Sequence, residues 1–315
     1  MLNQKIEILI PVYNEADSID EFLEVFSSFI VSLKAKYPNV VTHFLDNCST
    51  DGTFEILETK CSNSIDQYKI TSWVRNYGVM VSVFGGMINS NADAVFILDF
   101  DLQDPPELIY EMLEWRQKGY LLVTGQRVAR IENKSLTLLR SMFKLIHRVL
   151  GSEKNSRMES GFWLIDKLII SDLEANPPVS KHLAGTIESR GYTHRMIPYS
   201  RRARLAGKSK FNFIKYLGYA FEGLVAVPSK LVRFIIFNGL VLTIITSLIL
   251  SFLLVQRFIL HSIESTGLTL IILFQFISLA FSALIMGLVG ELLVRVFMNT
   301  AKLEKPIARK VIEKY

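Results

Sequence analysis

Two stretches of 23 residues without a single charge, Phe234–Gln256 and Leu268–Gly290, constrain this chain more than any other feature. A bilayer's hydrocarbon core is about 30 Å thick and an α-helix rises about 1.5 Å per residue, so about 20 apolar residues span it. Buried core helices are the ordinary alternative for one such run. Two of membrane length, separated by a short turn, argue for a transmembrane hairpin. The rest of the 315-residue chain carries enough charge for a globular domain, and the whole averages 50% hydrophobic and 21% charged. That balance excludes a disordered chain, a collagen-like repeat and a disulfide scaffold. Cys48 and Cys61 are read as free thiols on the reducing side of a membrane. The start, MLNQKIEILIPVYNE, has no apolar run leading to a small-residue cleavage site, so no signal peptide is expected.

Flanking charge orients the hairpin. Arg201, Arg202, Arg204, Lys208, Lys210, Lys215, Lys230 and Arg233 precede the first run; Arg295, Lys302, Lys305, Arg309, Lys310 and Lys314 follow the second. The loop between holds only Arg257 and His261 against Glu264. The positive-inside bias therefore places both termini and the globular part in the cytoplasm, in an inner or plasma membrane crossed twice. Residues 211–230, aromatic with Lys215 and Glu222, read as an amphipathic segment in the interface. The expected order is a globular domain (1–210), that segment, the hairpin (231–298) and a basic cytosolic tail (299–315). The net charge of +5 is then a membrane-surface feature, the bilayer is a partner, and nucleic acid is not.

Within 1–210 short apolar runs alternate with amphipathic ones. Strands are expected at Ile6–Val12, Val41–Leu45, Ile70–Val74, Ala94–Leu98 and Tyr120–Thr124, with helices between them. Such alternation predicts an α/β fold with a doubly wound, mostly parallel sheet, whose ligands bind beyond the carboxyl ends of the strands. Polar residues gather at those ends: Pro11-Val12-Tyr13-Asn14-Glu15, Asp46-Asn47, Arg75-Asn76, Asp99 through Asp104, and Gly125-Gln126-Arg127. A lone D-x-D is usually a solvated loop. At a strand end, in this company, Asp99 and Asp101 can share a hard cation, Mg²⁺ or Mn²⁺, completed by diphosphate oxygens and water.

PVYNEADSI, DNCSTDGT, RNYG, LDFDLQDPPEL, GYLLVTGQR and RLAGKSKF together resemble family 2 glycosyltransferases of GT-A fold. Within them the chain is most similar to the polyprenyl-phosphate glycosyltransferases, the branch of dolichyl-phosphate mannose synthase. The resemblance covers nearly the whole chain, hairpin included. It implies that Pro11, Tyr13, Glu15 and Asp46, with the flanking Asn14 and Asn47, hold the base and ribose of a nucleotide-sugar donor. Asp99, Asp101 and Gln103 would form the metal and diphosphate site. Arg127, with Arg130 and Arg140 as weaker candidates, would meet phosphate. Arg204, Ser209 and Lys210 would bind the donor diphosphate or the phosphate of a polyprenyl (undecaprenyl or dolichyl) acceptor. Two departures stand out: Asn47-Cys48 replaces an aspartate and glycine usual in the second turn, and Trp163 stands where an arginine is usual. Trp163 is read either as ordinary packing or as an aromatic platform for the sugar.

A phosphate monoester is already anionic near neutral pH, its second pKa being about 6, so it needs positioning more than a general base. The expected step is in-line attack of the lipid phosphate on the anomeric carbon with inversion, a metal held by Asp99 and Asp101 screening the departing nucleoside diphosphate and Arg204 with Lys210 supplying the other charge compensation. Two alternatives stay open. A hydroxyl acceptor would require a carboxylate base, for which Glu159 and Asp166 are candidates; a non-catalytic membrane adaptor would need none of this. A homo-oligomer is left open as well.

Overall fold

A computed structural model describes residues 4–64, 67–128, 161–178, 183–202, 228–259, 267–300 and 302–314. The chain divides into two compact units. The first carries β1 (Ile6–Val12), α1 (Ile19–Lys36), β2 (Val40–Asp46), α2 (Thr53–Ser64), β3 (Tyr68–Trp73), α3 (Val79–Ile88) and β4 (Ala94–Ile97). It continues with α4 (Ile109–Gln117), β5 (Leu122–Arg127), β6 (Trp163–Asp166), α5 (Lys167–Ala175), α6 (Leu183–Ser189), β7 (His194–Tyr199) and β8 (Ala308–Lys314). The second unit carries α7 (Pro228–Phe258) and α8 (Gly267–Thr300).

The strands form one sheet in the order β7-β5-β6-β4-β1-β2-β3-β8. β1 pairs in parallel with both β2 and β4, so the chain winds outward on one side of β1 and returns on the other. The crevice beyond β1 and β4 is therefore the topological switch point, where open α/β sheets bind their ligands. β6 runs antiparallel to β4 and β5, and β8 antiparallel to β3. The sheet is mostly parallel, as the alternation implied, but mixed at two places. Because β6 and β8 run the other way, their first residues, Trp163 and Ala308, lie on the rim where β1–β5 end.

Side-chain alternation builds a core on each face. Ile6, Ile8, Ile10, Phe44, Phe96 and Leu164 face one layer, where α1, α2 and α4 contribute Phe22, Phe26, Leu57 and Met112. Leu9, Leu45, Trp73, Val95, Ile97 and Ile165 face the other, under Phe84 of α3, Ile169 of α5 and Ile187 of α6. Trp163 belongs to this second layer and is 1% exposed, so packing, not a sugar platform, is its role here. The same face buries a polar chain. His43 Nδ1 lies 2.5 Å from Glu7 Oε1, His43 Nε2 lies 2.8 Å from Thr71 Oγ1, and the Ser90 hydroxyl donates to Glu7.

The segment expected as a basic tail is the main difference. Ala308–Lys314 is the edge strand β8, and Pro306 just before it is buried. Pro306 docks against Gly85 of α3, where a methyl group would also stand 2.9 Å from Trp73 Cη2. Charge disguised this strand: ARKVIEK is an exposed edge, and lysines on an edge discourage further pairing.

α7 and α8 are long and apolar enough to cross a membrane, with 18- and 21-residue windows of mean hydropathy 2.2. Only 11% of each window is buried, unlike a soluble core helix. Phe252, Phe274 and Met286 are exposed to 60%, 71% and 73%. Where the two helices touch, residues are small: Gly239 approaches the Leu284 backbone, Gly287 meets Ile236, and Ala280 is fully buried. Close approach through small residues is how helices associate without a hydrophobic drive. The interfacial segment expected at 211–230 lies largely outside the described residues.

Candidate active site at the carboxyl rim of the sheet

The loops after β1 and β2 are stitched into one surface. The Asn14 amide donates to Ser49 Oγ (2.9 Å), Thr50 N–H donates to Asn14 Oδ1 (2.9 Å), and Glu15 N–H donates to Thr53 Oγ1 (3.0 Å). Asn14 has φ 53° and Cys48 φ 63°, left-handed values that side chains disfavour. Cys48 therefore occupies the conformation that explains the glycine usual at this point of the turn. Tyr13 projects from the surface, 43% exposed, and Pro11 precedes it at the end of β1.

Asp46 is fully buried, its Oδ1 accepting from Ser49 N–H (3.1 Å) and its Oδ2 from the Ser72 hydroxyl (2.7 Å). Asn47 turns inward too. Its Oδ1 accepts from Tyr77 N–H (3.0 Å) and its Nδ2 donates to Asn76 Oδ1 (2.9 Å), clamping the β2 turn to the loop after β3. The amide is thus spent on structure, and a carboxylate could make only the first of these bonds. The departure from aspartate is explained by this clamp, and no ligand contact is needed to account for Asn47.

After β4 the alternation continues into DFDL. Phe100 points to the core and stacks on Phe22 (centroids 4.3 Å apart, planes 13°), and Leu102 is buried at φ 46°. Asp99 and Asp101 point the other way, their side chains 37% and 21% exposed. Gln103 closes the turn, its N–H donating to Asp101 Oδ1 (3.2 Å) and its carbonyl accepting from Arg202 N–H (2.8 Å). Of the expected metal set, Asp99 and Asp101 come together, while Gln103 enters through its backbone.

Beneath them lies Asp104, to which the family resemblance gives no role. Asp104, 1% exposed, accepts from the Tyr199 hydroxyl (2.7 Å), Arg127 Nη2 (3.0 Å) and Arg201 Nε (3.1 Å). Arg127 Nε also donates to the Tyr199 hydroxyl (3.2 Å). Arg201 Nη2 then stands 3.9 Å from Asp99 Oδ2 and 3.8 Å from Asp101 Oδ2. Enclosure and the carboxylates of Asp104 and Asp101 push Asp99 up to about 6, against Arg127 and Arg201. Burial and Asp104 push the Tyr199 phenol well above its usual value, so it stays a donor. The signal for Asp104 was the third carboxylate of DFDLQD; Arg201 was hidden among the charges before the hairpin.

One guanidinium nitrogen within 4 Å of both carboxylates shows that Asp99 and Asp101 face a common point where a positive centre is accommodated. Among the described residues no third carboxylate, histidine or cysteine completes a metal cluster. The donor set fits a hard divalent cation held by two carboxylates and finished by ligand oxygens. Arg204, Ser209 and Lys210, with Arg130, Arg140 and Glu159, lie outside the described residues. Asp166 is described and is remote. It pairs with Ala94 at the opposite end of β4, caps α5 and binds Arg116 (2.7 Å), so it is no base for chemistry on this rim.

Sheet order and rim together define a GT-A-like α/β fold. The chain belongs to glycosyl transferase family 2, whose family model matches residues 7–173. Its relatives run the full length. A prophage bactoprenol glucosyl transferase homolog of Escherichia coli K12 is 25% identical over 308 residues, covering 98% of this chain and 99% of its own. The bactoprenol glucosyl transferase of Shigella phage SfII is 25% identical over 307 residues, covering 97% and 98%. The glycosyltransferase YkcC of Bacillus subtilis is 26% identical over 295 residues, covering 92% and 88%. Among solved structures, glucosyl-3-phosphoglycerate synthase of Mycobacterium tuberculosis, in complex with Mn²⁺, UDP and glucosyl-3-phosphoglycerate, aligns at TM-score 0.48 and 19% identity, over 71% of this chain and 78% of its own.

Proposed function

We propose that the chain moves a sugar from a nucleotide-sugar, a UDP-sugar in the first instance, to the phosphate of a membrane polyprenol, inverting the anomeric centre. The observation that carries this reading is the Asp99–Asp101 pair facing one positive centre above Asp104, Arg127 and Arg201. Family membership and the full-length match to relatives named for bactoprenol support the acceptor class.

The two ends of the rim divide the work. The stitched loops around Tyr13 and Asp46 receive the nucleoside. Asp99 and Asp101 would hold a divalent cation, which supplies charge compensation at the departing diphosphate. Arg127 is aimed by Asp104 and Tyr199, a preorganised donor for phosphate oxygens that costs little reorganisation when charge develops. The attacking phosphate arrives ionised, so no described side chain has to take a proton from it. Arg204 and Lys210 bring further positive charge in this reading. α7 and α8 cross the membrane in this reading and tether the catalytic unit to the bilayer that carries the lipid. The pairing of β8 with β3 supports a hairpin that returns the chain to the side it left, and the flanking charge supports reading that side as the cytoplasm.

The test is direct. Purified protein in detergent is incubated with a panel of UDP- and GDP-sugars and, in separate arms, undecaprenyl phosphate or a hydroxyl-bearing glycolipid. Sugar-linked lipid with release of the nucleoside diphosphate is expected. Transfer only to hydroxyl-bearing glycolipids would replace the acceptor, and no turnover with any donor would overturn the reading.

A further inference from the structure

The last strand reaches the nucleoside end of the rim. Arg309, at the start of β8, donates from Nη2 to Ser72 Oγ (3.2 Å), and Ser72 donates its hydroxyl to Asp46 Oδ2 (2.7 Å). Arginine has donors only, so the Ser72 oxygen must accept from it. Ser72 has one hydroxyl hydrogen, which is thereby left for Asp46. With Ser49 N–H on Oδ1, the Asp46 carboxylate is fixed at both oxygens. Ser49 Oγ in turn accepts from Asn14 N–H, so the line runs from the last strand to the loop beside Tyr13.

The approach is built, not incidental. β8 pairs with β3 in register from Tyr68 opposite Lys314 to Ser72 opposite Lys310, and slips only between Ser72 and Trp73. Before it, Val74 N–H donates to the Ile307 carbonyl (3.0 Å). Arg75 reaches Glu304 (2.7 Å) while its guanidinium lies 4.5 Å over the Tyr77 ring. That ring belongs to the residue whose amide Asn47 holds. Lys310 turns away to Glu58 (3.0 Å), leaving Arg309 as the β8 cation on Ser72.

We propose that Arg309, supplied by the segment beyond the apolar helices, is a positioning residue for the donor nucleotide and acts through Ser72 on Asp46. This rests on the reading of Asp46 as part of the donor site. Without Arg309 the Ser72 hydroxyl can rotate off Asp46, and the carboxylate loses its fixed setting.

The experiment compares full-length Arg309→Gln, Arg309→Lys, Ser72→Ala, the Ser72→Ala/Arg309→Gln double variant, Lys310→Gln and Asp46→Asn. Binding of UDP and of GDP is measured by calorimetry, and KM is measured separately for donor and lipid. Arg309→Gln should weaken nucleotide binding and raise the donor KM about tenfold, as expected for one charge-assisted bond, leaving the lipid KM unchanged. Arg309→Lys should recover part of the loss, and the double variant should be no worse than Ser72→Ala alone. Lys310→Gln, which disturbs the same strand, should match the parent. Parent-like nucleotide binding by Arg309→Gln, with Asp46→Asn impaired, overturns the proposal and leaves the donor site standing. Additive losses in the double variant overturn the route through Ser72. Unimpaired binding by Asp46→Asn overturns the donor reading and this proposal with it.

Discussion

Arg201 donates through Nε to Asp104 at 3.1 Å, and this single bond turns the outer edge of its guanidinium toward Asp99 and Asp101. Asp104 does the same for Arg127, so one buried carboxylate sets two cations. Asp104→Asn should keep the fold, because an amide oxygen still accepts from Tyr199 and Arg201, but it turns an NH2 group against Arg127 and removes the charge that holds both arginines. Transfer, followed as kcat/KM with donor varied, should fall about a hundredfold, the usual cost of a misplaced charge in an active site. Near-parent activity would show that the arginines are not working groups.

Chelation offers a second check. EDTA should abolish transfer and added Mn²⁺ or Mg²⁺ should restore it, because Asp99 and Asp101 are too few to hold the cation tightly. In Asp101→Asn, Mn²⁺ binding followed by electron paramagnetic resonance in the presence of UDP should weaken together with kcat/KM. Transfer that survives exhaustive chelation would remove the cation from the site.

Cys48 carries a third. A non-glycine residue in the left-handed region costs about 1–2 kcal/mol, and glycine's added freedom in the unfolded chain returns about 0.5–1 kcal/mol of that. Strain relief is the larger effect. Cys48→Gly should raise stability by about 0.5–1 kcal/mol, and Cys48→Val should lower it; thermal melts in detergent read both. A drop for glycine would mean that the Sγ contact to the Val74 carbonyl, 3.8 Å long, matters more than the backbone.

Acid should weaken the sheet from inside. Burial pushes the His43 imidazole below its usual value despite Glu7, with Lys69 opposing protonation and Glu313 favouring it. The Glu7 carboxyl also lies below its usual range: burial opposes ionisation, but bonds from His43 and Ser90 outweigh it. For both groups the unfolded chain binds protons more readily than the folded one. Stability present at pH 7 is therefore lost as pH falls below about 6.5, and further below about 4.5. The melting temperature should drop between pH 7.5 and 5, with a smaller drop in His43→Gln. A flat profile in the parent would show that the pair does not sense pH.

Much of this was legible beforehand. β1 to β4 announce themselves because buried parallel strands are continuous apolar runs, and Asp99 with Asp101 is local enough to recognise. β6 is buried and apolar at Trp163-Leu164-Ile165 but only four residues long, β7 is half exposed, and β8 is written in lysines and arginine, so the last two carried no continuous apolar signature. The Asp104 cluster joins the ends of β4, β5 and β7, which no short motif can display. At Asn47 the residue type suggests a ligand contact, and only the fold displays the bonds to Tyr77 and Asn76 that its amide also makes.

The pairing of β8 with β3 also sets an order of manufacture. The ribosome makes β3 well before α7 and α8, and β8 after both, so a nascent chain carries β3 as a bare edge throughout synthesis of its most apolar part. A bare edge invites wrong partners. The sheet closes over Ser72 only when Ala308–Lys314 has been made, and a chain that stops inside the helices lacks Arg309. In chain order, the rim beside Asp46 is therefore completed only after the helical pair has been made.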